Sequence, residues 1–247
     1  MDISILPETL ARPLVFGPRH SRRLGRSLAV DVIHLKTSSL DCVYCELGRT
    51  DRLTLQRREY VKVDVILEEL QAALGKQHNG IDHITLSASG EPTLNSKLGE
   101  IIKQIKDMTT IPVAVLTNGV LLFREDVRRD LLQADIVLPS LDAVSDHVFE
   151  RINRPHGRLD IEEIINGLVA FRKEFTGQIW LEILLVKGIN DATEELALLK
   201  TVTEWIRPDI IHLNTVARPP AESWARRVEV EDLRRIRRNF GPSCRVA

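Results

Sequence analysis

The 247-residue chain lacks several features that define whole classes of protein. Its three cysteines are an odd number, and the close pair would close too short a loop to stabilise much, so a disulfide framework is not expected. Eighteen consecutive apolar residues occur nowhere, and the first residues, "MDISILPETL", have no basic segment followed by an apolar run. We therefore expect a cytoplasmic protein in a reducing compartment, without a membrane partner.

The net charge is only -1, so the overall electrostatic field of the protein does not favour the binding of nucleic acid. The distribution is uneven: residues 11–60 hold ten Lys/Arg against five Asp/Glu, and residues 217–247 hold eight against four. With 43% hydrophobic residues, the chain can bury a large core. We predict one barrel-sized domain over residues 1–247, with a basic N-terminal extension at 1–27 and a C-terminal loop and helix at 217–247.

Apolar runs rich in Val, Ile and Leu alternate with segments of helical period. The runs are "SLAVDVIHL", "HITLSA", "PVAVLTN", "DIVLPSL", "IWLEILLV" and "DIIHLNTV". They predict six buried parallel strands, each followed by a helix, and hence an α/β fold with right-handed crossovers. The pattern alone leaves open whether the strands form an open barrel or a doubly wound sheet.

Small and polar residues cluster after each predicted strand. The segments are "KTSSLDCVYCELGRT", "SASGEPTLN", "TNG", "PSLDA" with the later "INRPHG", "KGINDA" and "NTVARPPAE". Loops at the carboxyl ends of parallel strands carry the functional residues in α/β folds. The sequence therefore predicts a site at that mouth of the sheet.

Two of these segments carry a family resemblance. "KTSSLDCVYC" resembles the CxxxCxxC loop of radical S-adenosylmethionine (SAM) enzymes, with Ser38 at the first cysteine position, and "SGEP" resembles their Gly-Glu motif. The flanking motifs, in order from Phe16 to Glu222, are similar to an uncharacterised subfamily related to 4-demethylwyosine synthases. The resemblance implies a partial (βα)6 TIM-like barrel of the radical SAM type.

The resemblance also implies cofactors and chemistry. In that family three cysteinates hold a 4Fe-4S cluster, whose fourth iron is chelated by SAM. An electron from a one-electron reductant such as flavodoxin or ferredoxin then splits SAM to a 5'-deoxyadenosyl radical, which abstracts hydrogen from the substrate. Cys42 and Cys45 are thus the expected metal ligands of an oxidoreductase-type enzyme.

Ser38 departs from the family pattern. A hydroxyl is a harder ligand than a thiol and ionises far less readily, so we expect the cluster to be incomplete or lost. The serine is either a deliberate exchange or a natural loss, and the intact surrounding loop favours the former. The alternative interpretations of Cys42 and Cys45 are a redox pair, half of a zinc site or two unrelated thiols. No helical stripe follows them, and no second CxxC or HxxxH exists.

The resemblance assigns further residues to SAM: Gly90, Glu91, Asn118, Ser140, Asp142 and Arg154. The first two would meet the methionine part, since glycine allows close backbone approach and a carboxylate pairs with an ammonium. The next three would meet the carboxylate and ribose hydroxyls, and Arg154 a carboxylate. The alternatives are an ordinary turn at "GEP", caps or turns for the middle three, and a solvent-facing arginine.

Two basic stretches flank the predicted barrel: Arg19, Arg22, Arg23 and Arg26, and Arg234, Arg235, Arg237 and Arg238. They indicate RNA or an anionic small molecule as substrate, or else a solvated surface. His34, His83 and His212 are expected in core or surface roles, His20 and His156 in mouth loops, and Cys244 as an ordinary small thiol. The alternatives for the whole protein are a cluster-free SAM- or RNA-binding barrel and a thiol- or zinc-binding α/β protein.

Overall fold

The computed structural model describes residues 12–33, 35–76, 80–87 and 89–247. The strands are β1 Val15–Ser21, β2 Gly25–Val30, β3 Thr37–Ser38, β4 Arg52–Leu53, β5 His83–Leu86, β6 Val113–Thr117, β7 Ile136–Pro139, β8 Gln178–Leu185, β9 Ile210–Thr215 and β10 Cys244–Val246. The helices are α1 Val63–Lys76, α2 Leu98–Met108, α3 Glu125–Leu131, α4 Asp146–Asn153, α5 Ile161–Glu174, α6 Thr193–Ile206 and α7 Val230–Arg237.

The main sheet has eight strands in the order β1-β2-β5-β6-β7-β8-β9-β10. β1 pairs antiparallel with β2, and every later pair is parallel. Six of the strands, β2 and β5 to β9, are each followed by a helix, so the predicted partial (βα)6 barrel is confirmed. A separate two-stranded sheet joins β3 to β4.

Two apolar layers lie on opposite faces of the sheet. Outward residues such as Leu181 and Ile183 of β8 belong to the large core against the helices. Inward residues form a second, smaller cluster, consisting of Leu24, Ala114, Ile136 and Leu138 with Leu116 and Trp180 packed against them. Alternation along each strand thus places one set under the helices and the other inside the barrel.

Within the predicted N-terminal extension at 1–27, the structure describes residues 12–27, and most of these belong to the sheet. Residues 15–21 and 25–30 form the β1–β2 hairpin, and its turn places Leu24, 2% exposed, in the inner cluster. The sequence pattern also missed α4 and β10. Among the described residues, no helix combines the length and apolar character needed to cross a bilayer.

Candidate active site at the carboxyl ends of the strands

A cavity of about 330 Å³ lies at the carboxyl ends of the parallel strands. The predicted site residues that line it are Ser38, Cys42, Cys45, Gly90, Glu91, Asn118 and Ser140. Neither Asp142 nor Arg154 is among the described residues of its wall. The fold therefore brings together most of the predicted site and separates two of its members from it.

The loop after β2 places the thiols of Cys42 and Cys45 and the hydroxyls of Ser38 and Thr50 on this cavity. The Cys45 amide donates to the Cys42 carbonyl at 3.1 Å, and the Asn153 side-chain amide donates to Cys42 Sγ at 3.3 Å. Burial, with Asp142 nearby, raises the pKa of Cys42 to about 12, so its thiol is protonated in this form. The Ser38 hydroxyl accepts from the Leu40 amide at 3.2 Å.

This donor set falls short of a cluster site. Within the described residues, no three His, Cys, Asp or Glu side chains are grouped so that they could hold a metal ion. Two thiols, Cys42 and Cys45, line this cavity, whereas a cluster held by three cysteinates needs three. The chain does not fit a complete three-thiolate site.

Gly90 is required by the chain's own packing. A Cβ at this position would lie 2.2 Å from the Thr37 carbonyl oxygen, because the Glu91 amide donates to that oxygen at 3.0 Å. Any larger residue would push β3, and with it Ser38, away from the end of β5. The close backbone approach predicted for a ligand is thus made here by the Cys-bearing loop itself.

Glu91 is 3% exposed and accepts hydrogen bonds at both carboxylate oxygens. Its Oε1 accepts from the Thr93 amide at 3.0 Å, the Thr93 hydroxyl at 2.6 Å and the Thr117 hydroxyl at 2.5 Å. Its Oε2 accepts from the Asn118 amide at 2.7 Å. Burial raises the pKa of this carboxyl, although these donors oppose the rise. A ligand ammonium would have to join the network at Oε2.

Asn118 and Ser140 follow β6 and β7. The Asn118 side-chain amide donates to the Ser39 hydroxyl at 2.9 Å, and the Ser140 amide donates to the Thr117 carbonyl at 3.1 Å. These bonds connect the loop after β2 to the ends of the central strands. Both residues line the cavity as predicted, and their assignment to SAM stays a prediction.

Asp142 lies in the interior behind the cavity. It is 3% exposed and accepts from Tyr44 at 2.5 Å, from the Asn153 amide at 2.9 Å and from the Leu184 backbone at 2.9 Å. Burial raises the pKa of Asp142 and also that of Tyr44. Asp142 thus anchors the CxxC segment through Tyr44. A ribose contact remains an expectation that this arrangement does not display.

Arg154 also acts within the chain. It lies 3.0 Å from Asp41 and 2.7 Å from Glu222, so its charge is engaged by these acids away from the wall of this cavity. Arg49 bonds the same Glu222 at 2.6 Å, and these arginines hold the pKa of Glu222 below its usual range. The cluster ties the Cys-bearing loop to the segment after β9.

The inner end of the cavity carries charges that the sequence motifs did not include. Arg23 forms an ion pair with Glu182 of β8, and both line the cavity. Burial, and then the charge of Arg22, lowers the pKa of Arg23. Arg23 is therefore paired within the chain, which disagrees with a solvated surface at this position, while the predicted anionic substrate stays a prediction. A lone acid within the apolar run "IWLEILL" was the available signal for Glu182.

His212 of β9 is the register partner of Glu182 and is 5% exposed. Burial, reinforced by Arg23 and Arg245, lowers its pKa to about 4, so the ring is neutral near pH 7. His83 bonds the Leu24 carbonyl at 2.8 Å, while His20 is exposed. Cys244 is buried in β10, and His34 lies outside the described residues.

The remaining arginines of the two stretches lie at the surface. Arg19, Arg22 and Arg26 are exposed on the β1–β2 hairpin, and Arg234, Arg235, Arg237 and Arg238 are exposed around α7. Arg235 pairs with Asp232 at 2.7 Å, and Arg237 donates to the Cys244 carbonyl at 2.7 Å. Part of this charge is therefore engaged within the chain.

Comparison with known proteins gives matches to a family model and to individual proteins. The model described as the radical SAM superfamily matches residues 32–199. A UPF0026 protein of Methanocaldococcus jannaschii is 37% identical over 224 residues, which cover 90% of this chain and 70% of that protein. "GTPase Obg" of Brachyspira hyodysenteriae is 42% identical over 232 residues, and the chain spans only 34% of its length.

A solved structure agrees at the level of the fold. "TYW1 with a lysine-pyruvate adduct bound" superposes with a TM-score of 0.66 at 18% identity, covering 87% of this chain and 72% of that one. At this identity the likeness is one of architecture. The likeness therefore concerns the fold alone, and the ligand of that protein is its own.

Proposed function

The chain belongs to the radical SAM superfamily, and we propose that it binds SAM in the strand-end cavity and descends from an enzyme that cleaves SAM reductively. The observation that carries this proposal is the convergence of Ser38, Cys42 and Cys45 on one cavity with Gly90 and Glu91. These residues come from two different loops, and the parallel strands bring them to one mouth.

The proposed roles follow from the contacts. Cys42 and Cys45 are thiol ligands, and Ser38 occupies the position of a third. Glu91 holds the ends of β5 and β6 together and presents Oε2 as the acceptor for the SAM ammonium. Asn118 and Ser140 offer polar side chains on the same wall.

The bound cluster, when complete, would supply the electron that breaks the sulfonium bond of SAM. With two thiols and a hydroxyl, this chain is proposed to assemble it poorly. A one-electron reductant such as flavodoxin or ferredoxin belongs to the same proposal. The second candidate, a cluster-free barrel that binds SAM without cleaving it, is favoured by the missing third thiol.

The decisive experiment restores the thiol. We expect Ser38→Cys, reconstituted anaerobically and supplied with a one-electron reductant, to raise iron and sulfide toward about four of each per chain and to yield 5'-deoxyadenosine from SAM. The original chain should give much less of all three. Iron, sulfide and 5'-deoxyadenosine are measured on the same preparations.

Ser39→Cys is the matched control, because it adds a third thiol one position away. The Ser39 hydroxyl faces Asn118, so this thiol should not complete the set. Equal iron and equal SAM cleavage in the original chain and in Ser38→Cys would refute the proposed role of residue 38. A gain in Ser39→Cys as large as in Ser38→Cys would show that thiol number, and not position, matters.

A further inference from the structure

The ion pair between Arg23 and Glu182 lies at the inner end of the strand-end cavity. Both residues line this cavity, and their side chains are 20% and 16% exposed, so a ligand there can reach them. Arg23 belongs to the turn before β2, at the amino end of that strand, and Glu182 lies in the interior of β8. The pair is therefore separate from the Cys-bearing loop, which follows the carboxyl end of β2.

The pair leaves hydrogen-bonding capacity unused. The contact joins Arg23 Nη1 to Glu182 Oε2, and within the described residues no further side-chain hydrogen bond ties either residue to the chain. Of these polar atoms Glu182 Oε2 is shielded from solvent, whereas Glu182 Oε1 and Arg23 Nη2 are not. A guanidinium has five N–H donors and a carboxylate two acceptor oxygens. Donors and an acceptor are thus left for a ligand, in contrast to Glu91 with its neutral donors from two strand ends.

The charge balance of the pair selects among ligands. An anion bound to Arg23 would leave Glu182 without its counter-charge, and a cation bound to Glu182 would do the same to Arg23, which is unfavourable in a partly buried site. A neutral group with an acceptor and a donor side by side can accept from the guanidinium and donate to the carboxylate while the pair stays intact. Leu116 and Leu138 line the same cavity and suit an apolar body attached to that group.

We propose that Arg23 and Glu182 bind a neutral carboxamide-type group of the substrate and thereby determine its specificity. A carboxamide carries its carbonyl oxygen and its N–H donors in one plane, as the side chains of Asn and Gln do. The planar guanidinium and carboxylate of the pair match that arrangement. The identity of this ligand as the substrate rests on the proposed function, whereas the recognition itself depends on the ion pair.

The test uses four probes that share one aromatic ring, on the Ser38 chain as it exists. Benzamide is neutral with donor and acceptor, acetophenone has the acceptor alone, benzoate is an anion and benzamidine is a cation. Ligand-observed NMR titrations give the dissociation constant of each probe. The variants are Arg23→Lys, which keeps the charge but loses the planar guanidinium, Glu182→Gln, and the control Arg22→Lys at the exposed neighbouring arginine.

We expect the original chain to bind benzamide about tenfold more tightly than each of the other three probes, because only benzamide satisfies both partners without an uncompensated charge. Arg23→Lys should lose most of this preference. Glu182→Gln should transfer the preference to benzoate, since Arg23 then lacks its counter-charge, an effect that a merely structural ion pair would not produce. Arg22→Lys should match the original chain with every probe.

Equal binding of benzamide and acetophenone would overturn the proposal, because the cavity would then recognise the ring alone. Tighter binding of benzoate or benzamidine by the original chain would overturn it in favour of a single charged site. Failure of all four probes to bind, or an unchanged preference in Arg23→Lys and Glu182→Gln, would overturn it as well. SAM affinity, measured by calorimetry on the original chain, tests the proposed function separately, since benzamide recognition requires neither SAM nor a cluster.

Discussion

Two glutamates, Glu91 and Glu182, line the same cavity, but they are held by different kinds of hydrogen-bond and charge partner. Glu91 accepts from neutral backbone amides and hydroxyls of two strand ends, whereas Glu182 meets a single arginine from the β1–β2 turn. Several short hydrogen bonds from neutral donors hold the Glu91 carboxylate at the ends of β5 and β6. One ion pair leaves the carboxylate dependent on a partner far away in sequence, and that partner is also a cavity residue.

From this comparison, we expect replacement of Glu91 to cause the largest loss of unfolding free energy. Glu91→Ala leaves the amides of Thr93 and Asn118 without their acceptor, and an unsatisfied buried donor costs about 1 to 3 kcal/mol. We expect the free energy of unfolding to fall by roughly 3 kcal/mol, together with weaker SAM binding. Urea unfolding and calorimetry provide the two values.

Glu100→Ala is the matched control, since that glutamate lies on the surface of α2, where it pairs with exposed Lys97 and accepts from the Gln104 amide. It should change stability by less than about 0.5 kcal/mol. If Glu91→Ala were as stable as this control, the account of Glu91 as the connector of β5 and β6 would be wrong.

The second prediction concerns the ion pair at Glu182. Glu182→Gln leaves the partly buried Arg23 without its counter-charge and should cost about 2 kcal/mol of unfolding free energy. Adding Arg23→Met should cost less than the two single changes together, because the remaining charge is then removed too. A double-mutant cycle by urea unfolding measures this coupling.

Arg22 supplies the control for Arg23, because it is adjacent in the turn but exposed. Arg22→Met should stay within about 0.5 kcal/mol of the original chain and show no coupling to Glu182→Gln. Equal coupling for both arginines would mean that their charge, and not the inward position of Arg23, stabilises Glu182.

The smallest expected effect is a pH dependence from His212, the register partner of Glu182. Its pKa is about 4 in the folded chain against an ordinary 6.5, so the unfolded chain binds this proton first as the pH falls. The stability that the neutral His212 ring contributes is fully present above about pH 6.5 and is lost progressively as the pH falls toward 4. His212→Gln should therefore lose less stability than the original chain between pH 7 and pH 5.

Melting temperatures at the two pH values measure this difference, with His147→Gln as the control at an exposed histidine of α4. If His212→Gln and the original chain lose the same stability between pH 7 and pH 5, protonation of the buried His212 ring does not cause the pH dependence of stability. A change in His147→Gln as large as in His212→Gln would also contradict this role of His212.

Much of the outer architecture was predictable. Apolar runs and helical periods indicated six strands and six of the helices, because a strand buried on both faces must be apolar throughout. The short α4, with its strongly polar sequence "DHVFERIN", did not show the pattern, and β10 has only three residues. The Cys, Gly-Glu and Asn motifs were recognisable because they are local in sequence.

The interior of the site was not predictable in the same way. Nothing in the turn after β1 distinguishes Arg22 from Arg23, yet the hairpin directs one outward and the other to Glu182, 159 positions later. Asp142 and Arg154 carry motif-like surroundings, but the fold pairs them with Tyr44 and with Asp41 and Glu222.

The alternation of strands and helices and the mouth at which the motifs meet follow from the order of residues alone. The assignment of Ser38 to the position of a third thiol stays a prediction from the sequence. Which charges are paired follows from the folded chain. Pairing depends on which side chains from distant segments come within contact of one another in the folded interior. The linear sequence does not contain these distances between segments. Glu91 is therefore held by donors from two strand ends, and Glu182 is paired with Arg23.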